Sequence, residues 1–353
     1  MENDRLHILH LIYSFKTGGV ESMLIDIANT QVRMGHRVSV LVVNDVANES
    51  LFDEFDPAVE VIRMRRKEGD KPLLMMARLN WRIMRLRPDV IHSHHHKFSR
   101  LVVVRASRLL FTVHCKDVPM IYASRSHMVA ITDTVRDDVL ARVPGADVTT
   151  ILNGFRTADV PRRGRRPAGD VFHIVQVGSL RPEYKGQDVL VRALRVLADR
   201  GVRNVDVTFI GRGDELGPLE ELARKEGVAD RVNFAGQMDR AGIYASLHTF
   251  DAMVHPSRSE GFGLTVAEGM AAGLPLVLTR GDGPWEVAGN GRYCISAESG
   301  DPVSVADAIT ELMTHYSEAL DRAGDAAAYV ARYDVSATVE QYIAYYRRLL
   351  EKQ

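Results

Sequence analysis

The chain has 353 residues, 46% of them hydrophobic and 26% charged, and a net charge of −1. That length exceeds what one hydrophobic core usually fills, so two domains are expected. The near-zero charge excludes the global field that draws nucleic acid, and no apolar run is long enough to span a bilayer.

The elements alternate from the start. Leu6 to Ile12 is a short apolar run suited to a buried parallel strand. A loop with Gly18-Gly19 follows, then an amphipathic helix from about Glu21 to Met34 with Gly35 as its stop. Glycines in that loop permit close backbone approach to a phosphate or sugar. Arg37 to Val43 is the next strand, followed by a strand at Val59 to Ile62 and a helix near Leu73 to Met84. Strands at Asp89 to His92, Leu110 to Val113, His127 to Ile131 and Val148 to Leu152 complete this half. Residues Asn153 to Asp170 carry Arg162, Arg163, Arg165 and Arg166 with two prolines and three glycines, and read as a solvated linker.

The alternation then restarts. Strands are predicted at Val171 to Val177, Val205 to Ile210, Val232 to Phe234, Ala252 to Val254 and Leu274 to Leu278. Helices are predicted at Gln187 to Asp199, Glu215 to Lys225 and Leu264 to Ala272, with three more to the end at Val303 to Tyr316, Glu318 to Arg332 and Ser336 to Glu351. Two such blocks imply two Rossmann-like α/β domains, with ligands at the carboxyl ends of strands and a shared ligand in the cleft between them. Cys115 and Cys294 form no framework and fit a reducing compartment. The start of the chain lacks a basic opening and a cleavage site, so a cytoplasmic protein is expected, at most peripheral to the inner face of the membrane.

Three strings carry chemistry. In Glu260-Gly261-Phe262-Gly263-Leu264-Thr265-Val266-Ala267-Glu268, two carboxylates flank a glycine turn at a helix N-terminus. Carboxylates accept paired hydrogen bonds from sugar or ribose hydroxyls, and amides at such a turn suit anions. On spacing alone, a helix cap and a solvent-facing charge fit equally well. In Gly178-Ser179-Leu180-Arg181-Pro182-Glu183-Tyr184-Lys185-Gly186, two cations follow a strand and suit a diphosphate. In Phe111-Thr112-Val113-His114-Cys115, a histidine lies just past a strand. A Cys/His nucleophile pair is rejected there, because adjacent residues of an extended chain point to opposite faces.

The whole set, in this order, resembles the GT4-type family of retaining nucleotide-sugar glycosyltransferases, whose motif is E-x7-E. The resemblance implies a GT-B fold: an acceptor-side domain over residues 1–165, a donor-side domain over 166–335, and a final helix over 336–353 that crosses back to the N-terminal domain. It implies hexosyl transfer with retention from a nucleotide diphosphate sugar, UDP-linked in first place and GDP-mannose next, to a saccharide or lipid-linked saccharide. Glu268 would hold the ribose and Glu260 the donor-sugar hydroxyls. Arg181 and Lys185 would stabilise the leaving diphosphate, and His114 with the Gly18-Gly19 backbone would position the sugar. Gly211, in Ile210-Gly211-Arg212-Gly213-Asp214, and the segment from Val232 would lie near the nucleotide, with the Gly261, Phe262, Gly263 and Leu264 backbone completing the site. Gly283-Pro284-Trp285-Glu286 fits the pocket rim or an ordinary turn. No cofactor is implied beyond the nucleotide sugar as co-substrate. A nucleotide-sugar 2-epimerase and a non-catalytic nucleotide-sugar-binding protein are the alternatives.

Two features stand outside that set. His92, His94 and His96 alternate and, on extended chain, would share one face, a spacing compatible with metal ligation. No Asp-x-Asp triplet occurs, and a metal-independent reaction is expected. Arg63, Arg65, Arg66, Lys67 and Lys71 precede a helix with Arg78, Arg82, Arg85, Arg87 and Trp81. Such a basic amphipathic helix suits either an anionic membrane surface or a docked helix with a solvated face.

Overall fold

The computed structural model describes residues 5–67, 69–105, 108–119, 127–164 and 169–351. Contacts divide the chain into two compact units, Met1–Phe155 with Tyr333–Gln353, and Arg156–Arg332.

The first unit is a seven-stranded sheet of β1 (His7–Ile12), β2 (Arg37–Asn44), β3 (Glu60–Arg66), β4 (Val90–Ser93), β5 (Leu109–Val113), β6 (His127–Ala130) and β7 (Val148–Thr150). Its order is β3-β2-β1-β4-β5-β6-β7, and every pairing is parallel. Helices α1 (Gly19–Arg33), α2 (Pro72–Leu86), α3 (Phe98–Leu101) and α4 (Asp133–Arg142) connect the strands. The helix Val335–Glu351 belongs to this unit and packs on α1. All six residues of β1 are buried, as a strand covered on both faces requires. On α1, Met23, Leu24, Ile25 and Ile27 face the core, each large side chain contributing about 2 kcal/mol.

Strand β3 runs past the expected Ile62 to Arg66, so Arg63, Arg65 and Arg66 are strand residues. The continuation follows from Met64, which is buried, while Arg63 is clamped by both oxygens of Glu49 at 2.6 and 2.7 Å. Helix α4 has no clear sequence period because it buries only Val135 and Val139; its start is set by Thr132, whose hydroxyl caps Val135 N–H.

The second unit repeats the plan. Strands β8 (Phe172–Val177), β9 (Val205–Ile210), β10 (Val232–Gly236), β11 (Ala252–His255), β12 (Leu276–Thr279) and β13 (Ile295–Ala297) form a parallel sheet of order β10-β9-β8-β11-β12-β13. Its helices are α5 (Pro182–Lys185), α6 (Gln187–Asp199), α7 (Leu216–Lys225), α8 (Arg240–Leu247), α9 (Leu264–Ala272), α10 (Gly283–Val287), α11 (Pro302–Thr314) and α12 (Tyr316–Tyr329). Both sheets therefore have the doubly wound order, with the reversal point beside β1 in one and β8 in the other.

The division between units falls at Phe155/Arg156, ahead of the boundary expected at 165, because the intervening segment is anchored to the second unit. Arg163 is no solvated linker residue. It is buried against Asp251 at 3.0 Å, donates to Tyr316 Oη at 2.9 Å, and its own N–H bonds Ala272 O. Arg165 and Arg166 lie outside the described residues.

Candidate active site

In the second unit the chemistry collects at the carboxyl ends of β8, β9 and β11. Arg181 follows β8, stays exposed, and donates to Glu183 at 3.1 Å with its guanidinium 4.8 Å from the Tyr184 ring centroid. Lys185 ends the short helix α5. Its Nζ donates to Glu260 Oε1 at 2.5 Å, and its carbonyl accepts from the Gln176 side chain at 2.7 Å. The other oxygen of Glu260 bonds His255 Nε2 at 2.5 Å. Burial alone would raise the Glu260 pKa; Lys185 and His255 outweigh it and hold the carboxyl well below the usual carboxylate range. His255 was not singled out in the sequence. The available signal was its place at a strand end, five residues before Glu260.

Lys185 and Glu260, expected to serve the diphosphate and the sugar separately, are thus partners. Each oxygen of Glu260 keeps lone pairs beyond these two bonds, so the carboxylate can still accept from hydroxyls. Glu268 lies half-buried on α9 and accepts from Tyr244 Oη at 3.1 Å. It is not a free surface charge, and the N-cap of α9 is Gly263, not Glu260.

The turn between the two glutamates is held from behind. Gly263 caps α9 at φ +84°, a left-handed conformation that favours glycine. Phe262 is buried, and Leu264 opens the helix half-buried. Gly283 N–H donates to Glu260 O at 3.1 Å, so α10 fastens the Glu260–Gly261 backbone, and Trp285 Nε1 anchors α10 to Ser296. Gly211 follows β9 at φ +147°, where an added Cβ would fall 1.9 Å from Gly178 O. The loops after β8 and β9 meet there by backbone contact. Val232 does not join them. It opens β10 opposite Val207, whereas Gly236, at the other end of the strand, accepts at its carbonyl from Gly211 N–H.

In the first unit Gly18 is the extended N-cap of α1 and Gly19 its first residue. Glu21 closes the preceding loop by accepting from Lys16 N–H at 3.2 Å. His114 lies just past β5 within a larger array. His10 and His92 are register partners on β1 and β4, and His94, two residues on, lies on the same face. His10 Nδ1 is 3.1 Å from His94 Nε2, and His94 Nδ1 is 3.3 Å from His114 Nε2. His10 Nε2 bonds Gln31 Oε1 at 2.8 Å. His92 bonds Tyr346 Oη and Thr112 Oγ1, both at 2.6 Å. Burial lowers His10 and His114 to about 4 and puts His92 and His94 well below their ordinary value, so all four are neutral at neutral pH.

The histidines that converge are His10, His92 and His94, whose nitrogens lie within 4.8 Å of one another, and not the alternating His92, His94 and His96. His96 leaves the set because β4 ends at Ser93 and the chain turns. As ligands these histidines would have to give up hydrogen bonds that occupy both ring nitrogens of each. Cys115 is exposed as a residue, but partial burial of its thiol, with Asp117 and Asp138 nearby, raises its pKa, which disfavours a thiolate nucleophile.

On α2, Leu73, Leu74, Trp81 and Met84 are exposed, with the Arg82 and Arg85 guanidinium groups 5.3 and 5.8 Å from the Trp81 ring centroid. Arg78 instead turns back to Met64 O. Among the described residues no helix is long and apolar enough to cross a membrane.

Comparison with known proteins gives the class. The glycosyl transferases group 1 family matches residues 162–329, and glycosyltransferase family 4 matches residues 17–159. The lipopolysaccharide core biosynthesis glycosyltransferase LpsD of Rhizobium meliloti is 30% identical over 244 residues, covering 66% of this chain and 68% of that protein. Glycogen synthase of Mycobacterium tuberculosis is 29% identical over 262 residues, covering 67% of this chain; the chain spans 63% of that relative's length. A glycosyltransferase from Rickettsia africae has the same fold, with a TM-score of 0.81 at 18% identity over 99% of this chain and 100% of that one. HepE of Anabaena, solved with UDP and glucose, gives 0.78 at 22% identity over 96% and 98%. The chain belongs to the GT4-type glycosyltransferase family of GT-B fold.

Proposed function

We propose that this protein is a retaining, metal-independent glycosyltransferase that moves a hexosyl unit from a nucleotide diphosphate sugar to a saccharide or lipid-linked saccharide. The observation that carries the reading is the Lys185–Glu260–His255 cluster at the carboxyl ends of β8 and β11, with Arg181 capping the short helix that Lys185 ends. Departure of a nucleoside diphosphate builds negative charge, and a preoriented ammonium with a nearby guanidinium stabilises it. Glu260 fixes Lys185 before the donor arrives and keeps lone pairs for sugar hydroxyls. Glu268 holds the ribose, and the Gly261–Leu264 backbone at the start of α9 meets the phosphates. His114 and the Gly18-Gly19 backbone serve the sugar from the N-terminal unit. No protein group acts as nucleophile; the leaving phosphate accepts the acceptor's proton on the same face.

UDP is the favoured nucleotide, supported by the UDP complexes of structural neighbours, with GDP next. A surface-glycoconjugate acceptor is supported by relatives named for lipopolysaccharide core and phosphatidyl-myo-inositol glycosylation. The exposed apolar and basic face of α2 suits contact with an anionic membrane carrying such an acceptor.

The test is a product analysis by NMR with UDP- and GDP-sugars and a panel of saccharide and lipid-linked acceptors. The reading predicts an acceptor-dependent product with the donor's anomeric configuration, formed equally well in a chelator. An inverted linkage, or free epimerised sugar without acceptor, would overturn it.

A further inference from the structure

Gln31, His10, His94 and His114 form an unbroken chain from the core outward. Gln31 comes from α1, His10 from β1, His94 from the end of β4 and His114 from the end of β5. The links are 2.8, 3.1 and 3.3 Å. A neutral imidazole carries one proton, so a donor at one nitrogen makes the other an acceptor. With the Gln31 Oε1 atom facing His10, the His10 proton must sit on Nε2 and its Nδ1 must accept. His94 then donates from Nε2 and accepts at Nδ1, which obliges His114 to donate from Nε2. The Nδ1 atom of His114 is buried and has no hydrogen-bond partner among the described residues. As an acceptor it is a lone pair awaiting a donor; with the chain reversed it would be a buried N–H without an acceptor, the costlier arrangement.

The parallel branch agrees. The Gln31 amide nitrogen faces Tyr346 Oη at 3.5 Å, and Tyr346 and Thr112 bracket His92 at 2.6 Å each. Tyr346 accepts from Gln31 and donates to His92 Nδ1, and His92 donates from Nε2 to Thr112. Both branches run in one direction from the single amide of Gln31.

We propose that Gln31, His10 and His94 are positioning residues that fix the tautomer of His114, so that its bare Nδ1 accepts a hydrogen bond from a hydroxyl of the substrate and repels phosphate or carboxylate oxygens. This rests on the transferase reading for the identity of the substrate, and on the protein alone for the tautomer. It explains why a residue as remote as Gln31 is buried with polar partners on both sides.

The test is long-range 1H–15N correlation NMR on ligand-free protein labelled at histidine, with His114 assigned from a His114→Ala spectrum. The expected result is the Nε2–H tautomer for His10, His92, His94 and His114 near neutral pH. An Nδ1–H or doubly protonated His114, or one equivalent of metal bound to His10 and His94, overturns the proposal. Gln31→Met removes the acceptor and is expected to give mixed tautomers at His114 with a fall in kcat of about fivefold. Gln31→Glu keeps an acceptor facing His10, though it removes the amide donor to Tyr346, and is expected to restore the His114 tautomer and most of kcat, which a loss of packing would not allow. Equal loss in the two variants with an unchanged His114 tautomer counts against the relay. The spectrum needs no turnover: the expected tautomers in a protein without transferase activity would sink the sugar reading and leave the proton order standing.

Discussion

The seven-stranded sheet carries four neutral histidines, three of them hydrogen-bonded in a row from Gln31 and the fourth, His92, held between Thr112 and Tyr346, whereas the six-stranded sheet ends in Lys185 and His255 around one ionised carboxylate. The two sheets share the doubly wound order, so the backbone does not cause the difference. It lies in what the strand ends carry. One end offers a hydrogen-bond acceptor with no net charge, suited to sugar hydroxyls. The other offers the Lys185 ammonium held in place by a carboxylate, suited to a diphosphate.

The largest effect should come from the charged end. Lys185→Met is expected to lower kcat by about 10²–10³-fold, the cost of removing one stabilising donor from a developing anion. His114→Ala should cost less, since a neutral acceptor orients the sugar and does not meet the charge; steady-state rates of both variants in parallel check this order.

Backbone shape comes next. Gly211→Ala forces a side chain into φ +147° and against Gly178 O, so thermal unfolding should show a loss of at least about 1–3 kcal/mol. Nucleotide affinity should fall with it, while the same substitution at Gly217, which has nothing within 4 Å, leaves the loops after β8 and β9 untouched.

Acid should separate the ends. His10 and His114 titrate at about 4 in the fold against an ordinary 6.5. Below pH 6.5 the unfolded chain takes up protons first, so the first unit loses stability as the pH falls from 6.5 through about 4. Glu260 is held below the ordinary carboxylate range of about 4.3, so its contribution is complete above that value and is lost only at lower pH. Hydrogen exchange at pH 5 should therefore show new opening around β1 and β4, with β8 and β11 unchanged.

The smallest effect on chemistry should come from α2. Replacing Trp81 with Ala and Arg82 and Arg85 with Glu should leave turnover on a soluble acceptor unchanged. Flotation with anionic liposomes at low salt should weaken by about 1 kcal/mol for each cation removed.

Much of this was legible in the sequence. The strand–helix alternation gave both sheets, and Glu260, Arg181 and Lys185 stand at strand ends as their motifs implied. What stayed hidden depends on contacts distant along the chain. His255 reads as an ordinary strand residue until the loop folds Glu260 over it. His10 joins His92 through sheet register across 82 positions that no local spacing records. Arg163 looked solvated because its partner, Asp251, lies 88 residues away. Within the Arg231–Gly236 segment that the resemblance sets near the nucleotide, it is the Gly236 end of the strand that meets Gly211, a contact no local spacing records.

The assignment of the six-stranded sheet's end to a nucleotide diphosphate is tested most directly by calorimetric titration of UDP, GDP and their parent nucleosides into the wild-type protein, Glu268→Ala and Arg181→Met. One nucleotide should bind the wild type, and Glu268→Ala should weaken both the diphosphate and its parent nucleoside by about 10–100-fold, as loss of a charged hydrogen-bond partner does. Arg181→Met should weaken the diphosphate alone. Wild-type affinity in Glu268→Ala, or equal loss of nucleoside binding in Arg181→Met, would contradict the account.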